Sequence, residues 1–352
     1  MWKASLGTGF ASVAVSNGRV YAAGNVNGND VVYCFDAVTG KEQWRQSYPC
    51  PLFAKNHEGG PCATPTVEGD AVYVFSKDGD ALRLNADTGQ IVWHKNLTKE
   101  LGIKQPTWQF AGSPLIMDDL VILNAGSSGV AIKKADGSVA WQSGQVAAGY
   151  ATAVPFTAGG KKCIVLVGAK EVYGIEAASG RVLWSHPWKT DYDINAADPI
   201  LDGDTVFVSS GYNHGCALLK VGTDGVKEVW TNKAMRNQCN ASVLWAGYLY
   251  GFDGQVGGGG KLTCIDFKTG EVKWSQGGMG TGSLMLADGK LIILSEAGKL
   301  VIANASPERF EELASAQVLA GKCWTVPVLA NGLIYARNAA GNLVCLDVRK
   351  SN

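Results

Sequence analysis

The chain has 352 residues, with 31 Lys and Arg against 31 Asp and Glu, so its formal net charge at neutral pH is zero. Without a basic run to neutralise phosphates, nucleic acid is excluded as an expected partner. The longest apolar stretches, such as Cys163 to Gly168 and Leu291 to Leu294, are strand-sized and far short of the about 20 residues a membrane-spanning helix needs.

In chain order, one phrase recurs: a polar residue, a short spacer, Thr/Ser/Asp-Gly, then Trp four or five residues after the Gly. Asp36-Ala-Val-Thr39-Gly40 leads to Trp44, Asp87-Thr88-Gly89 to Trp93, and Asp136-Gly137 to Trp141. Ala178-Ser179-Gly180 leads to Trp184, Thr223-Asp224-Gly225 to Trp230, and Lys268-Thr269-Gly270 to Trp274. Successive Trp residues stand 43 to 49 positions apart. Between them lie short β-rich runs such as Ala71 to Phe75, Ala81 to Leu84 and Ile91 to His94, so each repeat reads as one four-stranded propeller blade. A seventh copy is degenerate: Leu300 to Asn304 reads as a third strand, but Pro307 to Glu312 replaces the Gly and Trp. The eighth stops at Leu343 to Asp347, and Trp2 in Trp2-Lys3-Ala4-Ser5 supplies its missing strand.

The expected fold is therefore all-β, a single closed β-propeller over residues 1–352, with eight four-stranded blades and the last completed by the N-terminal strand. Closure removes the open sheet edge that would otherwise invite aggregation. Seven blades is the alternative, with the degenerate copy as an insertion. The repeated Trp residues are expected to pack over the next blade with the indole N–H on a backbone acceptor. The Gly before each supplies a tight turn. The nine Cys residues form no C-x-x-C or adjacent pair and read as buried small hydrophobes.

The phrase Asp-x-x-Thr-Gly-x-x-x-Trp, at Asp36 to Trp44 and Asp266 to Trp274, resembles the tryptophan-docking motif of the PQQ-like β-propeller repeat family. That family includes quinoprotein alcohol dehydrogenases, the propeller lipoprotein of the outer-membrane assembly machine and many exported bacterial proteins. The resemblance implies a periplasmic or exported protein, although no secretory leader opens the sequence. It is specific for fold, not function. The dehydrogenases carry a vicinal Cys pair, absent here, and a Glu, Asn and Asp set around Ca²⁺. The nearest acidic group, Asp191, Asp193, Asn195 and Asp198, is too loose to read as a calcium site.

In a four-stranded blade, the first-to-second and third-to-fourth turns share one face. The second-to-third turns and the interblade connections share the other. The first face holds turn formers such as Glu68-Gly69-Asp70 and Asn331-Gly332. The second holds Lys55-Asn56-His57-Glu58, Thr107-Trp108-Gln109-Phe110, Gly149-Tyr150, Asp191-Tyr192-Asp193, Arg236-Asn237-Gln238 and Lys322-Cys323-Trp324, with Tyr212-Asn213-His214 and Arg337-Asn338. Aromatic rings mixed with hydrogen-bonding groups around an axial depression suit a ligand pocket. The candidate ligand-binding residues are His57, Trp108, Tyr150, Tyr192, Asp193, His214, Arg236, Trp324 and Arg337. The plainer reading is that these side chains plug the channel. His57 and His214 are a candidate metal or acid–base pair without a visible third ligand. Gly257 to Gly260 is a hairpin turn, not a phosphate cradle.

Two functions follow. One is a binding or scaffold module presenting its loop-rich axial face to a small molecule, glycan or protein. The other is a quinoprotein-like oxidoreductase holding PQQ with Ca²⁺ over the axis, with Asp191 or Asp193 as base. The scaffold reading is preferred, because the enzyme-specific pattern is missing while the repeats are intact. No cofactor or metal is called for by the residues themselves.

Overall fold

The computed structural model describes residues 1–55, 57–223 and 225–349. Asn56 and Asp224, each part of a segment singled out above, lie outside the described residues. Eight four-stranded antiparallel sheets follow one another around the axis. Blade 1 comprises Ala14–Ser16, Arg19–Val26, Asn29–Asp36 and Glu42–Pro49, from the axis outward. The innermost strands of blades 2 to 7 begin at Thr66, Leu115, Val154, Ile200, Val243 and Ser283. Blade 7 is a complete blade, ending in Glu312–Gln317, so the eight-blade reading holds and the seven-blade alternative falls. Blade 8 runs Val328–Ala330, Leu333–Arg337, Asn342–Asp347, and its outer strand is Trp2–Ser5, paired Trp2 to Cys345 and Ser5 to Asn342.

One contact repeats between blades and explains the sequence phrase. In blade 1, Asp36 Oδ1 accepts the N–H groups of Val38 and Thr39 and the Thr39 hydroxyl. The Gly40 N–H closes the turn on Asp36 O at 2.9 Å. Gly40 then sits at φ 71°, and a Cβ there would fall 2.4 Å from the Trp2 ring of blade 8. Gly is thus required twice, for the left-handed backbone and for the flat seat beneath the indole. The same seat recurs where Gly89 meets Trp44 at 2.5 Å and Gly180 meets Trp141 at 2.6 Å. Five of the indole N–H groups donate to the carbonyl three residues before the Gly they cover: Trp2 to Ala37, Trp44 to Ala86, Trp93 to Lys134, Trp141 to Ala177 and Trp230 to Phe267. Trp274 donates to Ser306 O in the Gly-less turn of blade 7. The cap four residues before the Gly varies; in blade 2 it is Asn85 rather than Asp87.

The departures from the phrase have local consequences. Ala314 pairs with Ile302 beside the bulge where other blades carry Trp, so blade 7 offers no indole to blade 8. In blade 5 the outer two strands pair as far as Gly222 with Gly225, and a Cβ on Gly225 would meet nothing within 4 Å. Trp184 of blade 4 instead covers Gly174 of its own blade, and its N–H has no partner among the described residues.

Closure adds a second clasp. Arg337, 1% exposed, donates to the carbonyls of Gly7, Ala11 and Ala23. Burial pulls its guanidinium down to about 10, still charged at neutral pH. Tyr335 OH donates to Ala37 O, and Ser12 Oγ to Val326 O. All nine thiols are free, and seven are buried.

Trp44→Ala is expected to cost about 3–5 kcal/mol through the cavity it leaves. Gly89→Ala is expected to cost about 1–3 kcal/mol through strain and displacement of the ring. Denaturant titration of both single variants and the double should show strong non-additivity, because both remove one contact. A neutral Gly89→Ala variant would show that the seat does not hold the blades together.

Candidate functional site

Each innermost strand is entered through a residue two positions earlier that faces the axis: Ser12, Thr64, Ser113, Thr152 and Asp198 in blades 1 to 5. They form a chain. Ser12 N–H donates to Thr64 Oγ1, Thr64 N–H to Ser113 Oγ and Ser113 N–H to Thr152 Oγ1, each at 3.0 Å; Thr152 N–H donates to Asp198 Oδ1 at 2.6 Å. The belt satisfies backbone donors that lie just outside the sheet ladders. In blades 6 and 8 the position is Ala241 and Val326, and in blade 7 it is Thr281, whose hydroxyl donates to Gln255 O. On this side Val243, Leu284 and Met285 supply an apolar wall beside Asn240, Ser242 and Thr325.

Belt and wall enclose an axial cavity of about 870 Å³, within the usual size of small-ligand pockets. It is reached between interblade segments. Phe10 stacks on Trp324 with centroids 5.5 Å apart, His57 stands edge-on to Phe10 at 5.6 Å, and Trp108 lies 6.1 Å from His57. These rings are held from behind. Trp324 Nε1 donates to Glu296 Oε1 at 2.9 Å, and Lys322 lies over the Trp324 ring while bridging to Glu58. Lys55 covers Trp108, whose backbone N–H donates to Tyr150 OH.

His57, Trp108, Tyr150 and Trp324 therefore share one cavity. The other five candidates are placed differently. Arg236 is clamped bidentately by Asp253, both contacts at 2.7 Å, in a neighbouring depression that also includes Tyr212 and Asn213. Tyr192 is 73% exposed and packs edge-on to Tyr212 with centroids 5.4 Å apart. Asp193 follows it, half-buried, its N–H on Thr190 O. His214 packs edge-on to Trp188 at 4.4 Å, whereas His57 packs on Phe10 and Trp108, so the two His residues sit in separate aromatic settings. Arg337 is consumed by the closure clasp and does not line the cavity.

The cavity also contains residues that sequence reasoning did not select, among them Phe10, Cys62, Asp198 and Cys239. A signal for Asp198 existed: the hydroxyl two residues before each inner strand recurs in blades 1 to 4, and Asp198 replaces it in blade 5. Its electrostatics are distinctive. Burial raises its carboxyl to about 6, against the lowering effect of the Thr152 hydrogen bonds. Burial lowers His57, whose Nδ1 accepts the Gly59 N–H, so the ring is neutral at neutral pH with its proton on Nε2. The cavity wall likewise pushes Cys62 up to about 11 and Cys239, although open to the cavity, up to about 12. Burial also raises Tyr150 and Tyr212.

This donor set suits PQQ and Ca²⁺ poorly. Ca²⁺ takes six to eight oxygen ligands, usually with several carboxylates, and the lining supplies one carboxylate, Asp198. No group of three or more His, Cys, Asp or Glu side chains among the described residues could hold a metal. A polycarboxylate quinone would meet Asp198 with no Lys or Arg in the described lining to neutralise it. Asp191 and Asp193 do not line the cavity.

Because burial holds the Asp198 carboxyl in the fold above its ordinary value of 3.8, its contribution to stability is full below that value and is lost as pH rises through about 6. Asp198→Asn, which keeps the acceptor for Thr152, should therefore raise the melting temperature at pH 8 and leave it nearly unchanged at pH 4. A lower melting temperature at pH 8 would mean that the ionised carboxylate is stabilised by the fold.

Comparison with known proteins places the chain. The family described as "Outer membrane protein assembly factor BamB" matches residues 1–107 and 104–276. An outer membrane protein assembly factor BamB of Yersinia pestis is 23% identical over 97% of this chain and 77% of its own length. Its counterpart from Shewanella oneidensis is 26% identical over 40% of this chain, and a quinoprotein ethanol dehydrogenase of Pseudomonas putida is 29% identical over 33%. The matched regions span only 35% and 18% of those two relatives' lengths. Among solved structures, BamB from Moraxella catarrhalis superposes with a TM-score of 0.73 at 15% identity, covering 98% of both chains. The quinohemoprotein alcohol dehydrogenase of Comamonas testosteroni gives 0.68 at 13% identity, with 98% of this chain on 75% of that one. At these identities the superpositions speak for the fold alone, whereas the family match covers more than half of the sequence: this chain belongs to the outer membrane protein assembly factor BamB family of PQQ-like propellers.

Proposed function

We propose that this propeller is an exported, periplasmic scaffold that docks a protein partner in outer-membrane protein assembly through its interblade face. One observation carries the reading. Tyr192 is a large, 73% exposed aromatic held at φ 70°, packed edge-on to Tyr212, which is itself at φ 52°. A left-handed backbone costs a bulky residue about 1–3 kcal/mol, and such strain concentrates where a side chain must be presented. Beside this pair, Arg236 lies in the adjoining depression with its guanidinium fixed by Asp253. Tyr and Arg on preordered loops are the residue types that dominate protein interfaces. The names of the relatives supply the partner class, and the mainly turn-forming opposite face offers no comparable cluster.

Placing a photo-crosslinking amino acid at Tyr192 in the native cells should yield a discrete protein adduct. Arg236→Glu should reduce that adduct about tenfold or more, as expected for loss of an interface hot spot. The Arg236→Glu variant should also lose stability, because Asp253, with its side chain 15% exposed, is left facing a like charge. Crosslinking is therefore compared well below the melting temperature of each protein, and Tyr192→Ala, at a 73% exposed position, gives the binding loss without that cost. Adducts of equal yield from a position in the Thr-Gly turns of the opposite face would contradict the assignment.

A further inference from the structure

We propose that the axial cavity is a separate binding site for a small organic amine, whose ammonium group meets Asp198 and whose apolar body lies along the wall of Val243, Leu284 and Met285. Among the described residues that line the cavity, one is charged. Of the titratable side chains that line it, His57 is a neutral ring, Cys62 and Cys239 are thiols and Tyr150 and Tyr212 are phenols at neutral pH, leaving Asp198 as the ionised member. Among the described residues its hydrogen-bond partner is Thr152, through the backbone N–H to Oδ1 and the side-chain hydroxyl, and no Lys, Arg or His pairs with it. An ionised carboxylate has acceptor capacity for several donors, and an ammonium carries three.

The remaining surfaces fit the rest of such a ligand. The wall opposite the hydroxyl belt is apolar, and the entrance is built of Phe10, Trp108 and Trp324, whose π-faces attract cations. The two nearby lysines are engaged on the outer sides of those rings, Lys322 with Glu58 and Trp324, and Lys55 with Trp108. A divalent cation is disfavoured, since one carboxylate cannot supply its ligand shell. A carboxylate ligand is disfavoured by like charge. The site adjoins the docking surface and shares Tyr212 with it, but Asp198 and the wall of Val243, Leu284 and Met285 lie outside the Arg236 depression, so either assignment can fail alone.

The test is calorimetric titration with phenethylamine, its neutral counterpart 2-phenylethanol and its anionic counterpart phenylacetate. At pH 8 the amine should bind with a stoichiometry of one and on the order of tenfold more tightly than the alcohol, the usual margin for a charge-assisted hydrogen bond; phenylacetate should not bind. Affinity should fall as pH is lowered through about 6, where Asp198 takes up its proton. Asp198→Asn should bind amine and alcohol alike, and any pH dependence left in that variant reports His57. A folded Asp198→Asn protein that keeps the amine preference would overturn the proposal, as would equal binding of alcohol and amine to the wild type, or no saturable binding of the amine. The crosslink from Tyr192 should be unaffected by Asp198→Asn.

Discussion

The structure depends on one contact, an indole ring laid on the glycine of the neighbouring blade's last turn. A four-stranded sheet cannot bury both faces alone, and a propeller solves this by stacking sheets around an axis. Stacking requires each blade to find its neighbour at a fixed angle. The Trp–Gly seat sets that angle: the ring has area to bury, the Gly admits it to van der Waals distance, and the indole N–H is satisfied by a carbonyl of the same turn. Under the rings, alternating Val, Ile, Leu and Ala from successive blades form the interblade cores.

Two junctions of the ring depart from the common pattern. Blade 7 has no Trp to lay on blade 8, where apolar packing of Leu294, Leu319, Ala336 and Val344 joins the two, and blade 8 is assembled from both ends of the chain. At the closing junction of blades 8 and 1, which keeps its Trp2–Gly40 seat, the fold adds polar fastening. Arg337 gathers three carbonyls from the N-terminal segment and blade 1, while Trp2, Tyr335 and Ser12 add hydrogen bonds across it. A buried cation without a carboxylate partner is costly unless its donors are satisfied, and these three carbonyls satisfy them. The richest polar residue of the candidate set is thus spent on closure.

The fold was legible because its determinants are local and repeated. Asp36 to Trp44 states the turn, the seat and the ring within nine positions, and Trp2 completes the pattern at the other end of the sequence. The cavity was only partly legible. His57, Trp108, Tyr150 and Trp324 could be assigned to a face from strand alternation, since loop identity decides which end of a blade a residue occupies. Whether a side chain then points to the axis, to a neighbouring loop or into the seam depends on loop paths that no repeat encodes. Arg337 and His214 turned inward to Gly7, Ala11 and Ala23 and to Trp188. Asp198 was visible as an acid but hidden as a cavity residue, because its meaning lies in its register with Ser12, Thr64, Ser113 and Thr152.

The central proposal is a division of labour between the two faces, with the Thr-Gly face as scaffold and the interblade face proposed to carry function. Hydrogen–deuterium exchange of the protein, alone and with outer-membrane assembly machinery purified from the same cells, tests it most directly. The account predicts new protection confined to interblade and second-to-third-strand segments, foremost 190–193, 211–214 and 236–240, with unchanged exchange in the turns around Gly40, Gly89 and Gly180. Protection centred on those Thr-Gly turns, with the interblade segments unchanged, would contradict it.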